Sequence, residues 1–169
     1  MRHSLALILL LTLTACSHIP ASKENQDEAV EKLYADAKED LDNNNYDKAV
    51  KSFEELQSRY PYGRYAQQAL LESAYANFKQ QEPEPALAAA DRFIKEFPNN
   101  PHVDYAYYLK GLINFNEDLG VLGSIVKPDL SQRDPNSMRE AFDAFKVLVT
   151  RFPRQSICAR RQNTHAIPD

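Results

Sequence analysis

Glycine is scarce in this sequence, with four residues in 169. That is too few for a turn-rich β fold and leaves no glycine-rich run to cradle a phosphate. Cysteine occurs twice, at Cys16 and Cys158, so no disulfide framework holds the chain. The histidines His3, His18, His102 and His165 form no ligand pair at helical or hairpin spacing, which argues against a metal site. Cations are not in excess: 20 Lys and Arg face 24 Asp and Glu, a net charge of −4. A nucleic-acid partner would require the opposite balance. No apolar run is long enough to cross a bilayer as a helix; "LALILLLTL" at 5–13 has nine residues. What is present, 43% hydrophobic and 26% charged residues, belongs to the ordinary globular class.

The apolar run has a different use. Arg2 and His3 precede it and small residues follow, the layout of a secretory signal peptide over residues 1–15. It ends in Leu13-Thr14-Ala15-Cys16, which resembles the lipobox of bacterial lipoproteins. The resemblance implies an S-diacylglycerol on Cys16 and an N-acyl group on the new amino terminus. One acyl chain holds a membrane only marginally, whereas several anchor durably. Ser17 follows the cysteine where inner-membrane lipoproteins of this kind usually carry Asp, so the implied location is the outer membrane, lipid-anchored and facing the periplasm. Residues 16–28, with "SHIPASKENQDE" after the cysteine, read as a polar tether.

From Ala29 the chain repeats itself. "AVKSFEELQSRYP", "ALAAADRFIKEFP" and "AFDAFKVLVTRFP" each begin with Ala and end in aromatic-Pro. The fourth and seventh positions on from the Ala are Phe53 and Leu56, Ala90 and Phe93, and Phe145 and Leu148, offsets that share one helix face. The proline ends the helix. A second helical stretch precedes each one, at 29–41, 64–80 and 101–118. Pro101 after Asn100, Pro85, and Ser137 with Glu140 supply start signals. Pro61 and Pro98 lie 37 residues apart, close to the roughly 34 of a tetratricopeptide repeat. The reading is an all-α array of three helical hairpins over 29–153, with units at 29–63, 64–100 and 101–153, stacked in a right-handed superhelix. Ala37, Ala74 and Gly111 in the first helices, and Ala49, Ala86 and Ala141 in the second, allow close helix approach. The third unit carries an insertion at 119–136 whose apolar start (Val121, Leu122, Ile125, Val126) favours a packed flap or a partner contact.

The stretches "RYPYGRYAQQALLESAYANFKQ", "AAADRFIKEFPNNPHVDYAYYLKGL" and "RDPNSMREAFDAFKVLVTRFP" resemble the BamD family, also called ComL or YfiO, of outer-membrane assembly lipoproteins. The resemblance runs from Cys16 to about Pro153. It implies a subunit of the β-barrel assembly machine that binds a BamA-like barrel subunit and smaller lipoproteins and helps receive unfolded outer-membrane proteins. Residues 154–169, "RQSICARRQNTHAIPD", depart from the family, whose members continue with further repeats; truncation or a frame change accounts for such a tail. The departure puts in doubt the partner contacts that the family makes through the missing part.

No Cys/His pair or Ser-centred elbow appears, and Glu54-Glu55 sits among lysines on a solvated helix face, so no catalysis and no cofactor are expected. A groove is expected instead. In a tetratricopeptide stack the first helix of each pair lines the concave side, which places Tyr34, Leu41, Leu71, Tyr75, Phe78, Tyr105, Tyr108, Leu112 and Phe115 on or near it. Tyr107 and Gly111 then face the partner helix. A tyrosine packs a core as readily as it lines a groove, and the choice stays open at each position. Recurrence in three repeats turns the balance towards a groove for extended, apolar-aromatic peptides, the outer-membrane protein clients. Arg64 and Lys79 are candidates for a terminal carboxylate, or solvated cations. The alternative is an envelope scaffold of the ComL type, linked to competence, whose groove holds a partner protein and no client. The Cys16 reading predicts an intact mass showing loss of residues 1–15 and gain of the acyl groups; an unmodified chain starting elsewhere contradicts it.

Overall fold

The computed structural model describes residues 23–117 and 135–153, and all the elements found there are helices. Cys16, the tail at 154–169 and nearly all of the insertion lie outside the described residues. Six helices follow in order: α1 (Lys23–Asp42), α2 (Tyr46–Arg59), α3 (Arg64–Lys79), α4 (Pro83–Glu96), α5 (Val103–Glu117) and α6 (Pro135–Arg151). Each packs on the next, and the first helices of successive pairs also touch, α1 with α3 and α3 with α5. The result is the expected tetratricopeptide-like stack of hairpins.

The second helices close as their sequences require. In α2 the buried residues are Ala49, Phe53 and Leu56; in α4 they are Ala86, Ala90 and Phe93. Tyr60 N–H donates to the Leu56 carbonyl at 2.8 Å and Phe97 N–H to that of Phe93 at 2.9 Å, after which the proline ends each helix. The turns inside the first two hairpins are alike. Asn44 (φ 62°) and Gln81 (φ 64°), 37 residues apart, both adopt the left-handed conformation. Asn45 N–H then reaches the Asp40 carbonyl at 2.8 Å, and Glu82 N–H that of Asn77 at 3.0 Å, satisfying carbonyls that the helix ends leave open.

Four starts differ from expectation; one is α5, which opens at Val103 and leaves Pro101 in the preceding turn. α1 begins at Lys23, so residues 23–28 are helix and not tether. α4 opens at Pro83, two residues before Pro85, because either proline tolerates a first turn. α6 opens at Pro135, which puts Ser137 inside the first turn and not at the N-cap.

Ala37, Ala74, Ala49 and Ala86 are fully buried, and Ala141 is nearly so. At Gly111 a Cβ would stand 2.5 Å from Cε1 of Phe145, so the Phe145 ring of α6 packs against α5 in the space that a larger residue would need. In α6 the burial stops at Ala141 and Ala144, while Phe145 and Leu148, whose counterparts in α2 are core, stay half-buried. No following hairpin is described to cover them. Replacing Ala86 with Leu is expected to lower stability by about 1–3 kcal/mol through overpacking, read in a thermal or urea melt, with helical content kept.

Candidate peptide groove

The contact of α1, α3 and α5 along one side makes a continuous surface of first helices. It includes an open groove of about 650 Å³ between α1 and α3, lined by Glu31, Tyr34, Lys38, Asp42, Tyr65 and Gln68 among others. Lys38 lies at the base of this groove. Its Nζ stands 2.8 Å from Oε1 of the buried Glu72 on α3 and 4.0 Å from Asp42. Arg64 lies over the Tyr65 ring, 4.5 Å from its centroid, and donates to the Tyr65 hydroxyl at 2.7 Å. Arg64 is therefore stacked at the rim, while Lys79 sits 5.9 Å over the ring of Tyr46.

The 37-residue period carries these groove positions into later repeats. Glu31 corresponds to Gln68 and Tyr105, Lys38 to Tyr75 and Leu112, and Asp42 to Lys79 and Asn116. These positions thus change from charged in the first unit, through mixed, to uncharged in the third, where Tyr105 and Leu112 are aromatic and apolar and Asn116 is polar. Tyr75 and Phe78 on α3 pack with Tyr105 of α5 around one cluster, and the Tyr105 and Tyr108 rings lie 6.2 Å apart. Burial pushes the Tyr75 phenol above its ordinary pKa, with Tyr46, Glu72 and Asp42 adding to the shift, so it stays a neutral hydrogen-bond donor at physiological pH.

The expected groove residues divide. Tyr75, Phe78, Tyr105, Tyr108 and Leu112 are half-buried and Phe115 is 40% exposed, so each keeps surface to offer. Leu71, 1% exposed, is core, packed with Phe93 and Val103, and leaves the groove set; so does Leu41 at 3%. Tyr34 is 7% exposed: its ring packs 6.0 Å from Phe53 and 5.2 Å from Tyr65, so it is core with one edge in the groove wall. The reason lies in the period. Tyr34, Leu71 and Tyr108 form one column that turns inward, and only in the third unit, with no described neighbour beyond, does it remain partly open. Tyr107 and Gly111 face α6 as expected, with the Tyr107 ring 6.1 Å from that of Phe152 just beyond it. Sequence reasoning passed over Glu31, Lys38 and Gln68, because it looked for aromatic residues; their signal was the same 37-residue offset from Tyr75 and Tyr105.

Residues 26–160 match the YfiO family model of outer membrane lipoproteins. The chain belongs to this family. Among its relatives, the outer membrane protein assembly factor BamD of Neisseria meningitidis is 46% identical over 159 residues, 92% of this chain and 60% of that protein. The BamD of Xylella fastidiosa is 36% identical over 168 residues, 96% of this chain and 57% of the relative. That of Vibrio cholerae is 31% identical over 147 residues, 87% and 60% respectively. This YfiO-family chain thus spans about 60% of the length of these relatives.

The Lys38–Glu72 pair ties the first unit of the YfiO-family stack to the second at the groove base. Replacing Lys38 with Met is expected to cost about 3–5 kcal/mol, since it leaves the Glu72 carboxylate buried without its cation. Lys38→Met with Glu72→Leu should recover much of the loss in the same urea melt; equal losses in the single and double variants would contradict the coupling.

Proposed function

We propose that this chain acts as a lipid-anchored subunit of an outer-membrane β-barrel assembly machine, held through acyl groups on Cys16, and that its first-helix surface binds extended segments of unfolded outer-membrane proteins. The observation that carries the reading is the run of Tyr75, Phe78, Tyr105 and Tyr108, half-exposed on adjoining helices α3 and α5. A strand from a barrel protein alternates apolar and polar residues, with aromatic rings at its interface ends. Rings on the surface can pack against the apolar side chains while tyrosine hydroxyls bond to the peptide backbone. The assembly role of the relatives named above supports the same reading, and so does the lipobox-like sequence at Cys16. Docking to a BamA-like barrel subunit and to smaller lipoproteins belongs to this proposal, as does a non-enzymatic role. The competence-scaffold alternative has no support of this kind from the relatives' names.

No helix among the described residues is long and apolar enough to cross a membrane. Peptide affinity should be modest, about micromolar, because an extended chain gives up its freedom on binding. Titration with a peptide ending in an alternating aromatic strand tests the site. Tyr75→Ala and Tyr105→Ala should each weaken binding by about 1–2 kcal/mol, as anchor residues do. Their thermal melts should move little. A stability loss of about 3–5 kcal/mol with unchanged affinity per folded molecule would make these tyrosines packing alone and end the proposal.

A further inference from the structure

One end of the stack gathers the start of α1, two loops and the close of α6. Gln26, Asp27 and Val30 of α1 line one open cleft of about 550 Å³ with Arg59, Tyr60 and Tyr62 of the α2–α3 loop. The α4–α5 loop joins them through Asn100, whose side-chain amide donates to Gln67 of α3 at 2.7 Å. Pro153, just past α6, lines a cleft with Pro98 and Asn100 of that loop. The turns at Asn44 and Gln81 lie at the opposite end, about 30 Å away along a helix of 20 residues.

The α2–α3 loop has a tip that the fold does not require. Tyr62 is 90% exposed, so almost none of its ring is used in packing. Tyr60 and Pro61 recur 37 residues on as Phe97 and Pro98, because they close the helix. Tyr62 and Arg64 do not recur: their counterparts are Asn99 and Pro101. A ring and a cation are thus added to a loop whose closing role is met without them. Gly63, at φ 101°, turns the chain directly after the ring. Arg59 is paired with Glu55 at 2.7 Å, whereas Arg64 lies on the Tyr65 ring and makes no ion pair among the described residues. The carboxylates of the cleft, Asp27 and Glu31, belong to its α1 wall.

The same end carries the chain's approach to Cys16. Seven residue steps separate Cys16 from Lys23, and at no more than about 3.6 Å per residue they span at most about 25 Å. Acyl groups on Cys16 would therefore hold the loop close to a bilayer surface. A link that short gives an effective concentration of about millimolar, which populates a contact too weak to hold a free protein. Tyrosine and arginine suit that layer. A tyrosine ring sits at headgroup level with its hydroxyl in water, and a guanidinium matches the oxygens of a lipid phosphate.

We propose that the tip of the α2–α3 loop rests on the phospholipid surface, with Tyr62 among the headgroups and Arg64 against lipid phosphate. The proposal rests on the lipid anchor proposed above and adds an orientation to it. The loop end of the hairpins faces the bilayer, the turns at Asn44 and Gln81 point away, and the stack of first helices runs along the membrane.

The chain has no tryptophan, so Tyr62→Trp places a single reporter at the tip. Glu84→Trp, in the first turn of α4 at the opposite end, is the comparison. Each full-length variant is reconstituted in vesicles of phosphatidylethanolamine and phosphatidylglycerol, plain or brominated in the acyl chains. Intact mass and vesicle flotation report the anchor, and circular dichroism the fold. Emission from Tyr62→Trp should move to shorter wavelength and be quenched by the brominated lipid, while that from Glu84→Trp should stay unchanged. Adding Arg64→Gln to Tyr62→Trp should lower the contact equilibrium about fivefold, the effect of one cation at an anionic surface. A chain without acyl mass, or one that does not float, overturns the anchor and this proposal together. An acylated, floating chain whose Tyr62→Trp emission is the same in both vesicles overturns the loop contact alone, as does equal quenching of Glu84→Trp. Quenching unchanged by Arg64→Gln removes the phosphate contact and overturns the proposal as stated.

Discussion

Every described helix pair in this chain closes on residues with almost no side chain. Ala37, Ala74 and Gly111 on the first helices, and Ala49, Ala86 and Ala141 on the second, are buried where neighbouring helices meet, and the Phe145 ring lies against Gly111. An array of hairpins has no central core, so each unit must bury its apolar face against its neighbours. Short distances between helices are what make that burial sufficient. Around the small residues, Phe53, Leu56, Leu71, Phe93, Leu109 and Ile113 are almost wholly removed from water.

The same period that builds the stack grades the groove. Positions that repeat every 37 residues carry charge in the first unit (Glu31, Lys38, Asp42) and none in the third (Tyr105, Leu112, Asn116). At the charged end Lys38 is fixed by Glu72 and flanked by Asp42, so the cation is positioned and partly neutralised. At the aromatic end Tyr105 and Tyr108 are both half-buried and keep surface available, Tyr108 although its counterparts Tyr34 and Leu71 are core. An extended peptide laid along the first helices would meet polar partners at one end and rings at the other, which favours one direction of binding over its reverse.

The helical architecture was legible in the sequence because three aromatic-Pro endings and a common apolar offset recur, and periodicity of that strength fixes element type. Helix starts were less legible. Lys23 to Glu28 are polar and carry no apolar periodicity, so the stretch reads as a tether; Pro83 and Pro85 are equally suited to a first turn. The groove was legible by helix but not by residue. Tyr34 and Leu71 share a face with their neighbours at the level of a helical wheel, and only the packing of α2 and α4 behind them decides that they turn inward. Lys38 was invisible as a site residue because an isolated lysine on a helix is ordinarily a solvated one.

The central claim is that the surface of α1, α3 and α5 receives an extended segment of an unfolded outer-membrane protein. Photo-cross-linking tests it most directly, with a benzophenone side chain placed at Tyr75 or Leu112 on that surface, and at the exposed Glu54 on α2 as the comparison. On irradiation with an unfolded barrel protein, adducts are predicted from Tyr75 and Leu112, mapping to aromatic strand ends of the client, and none above background from Glu54. Equal labelling from all three positions, or adducts from Glu54 alone, would contradict the account.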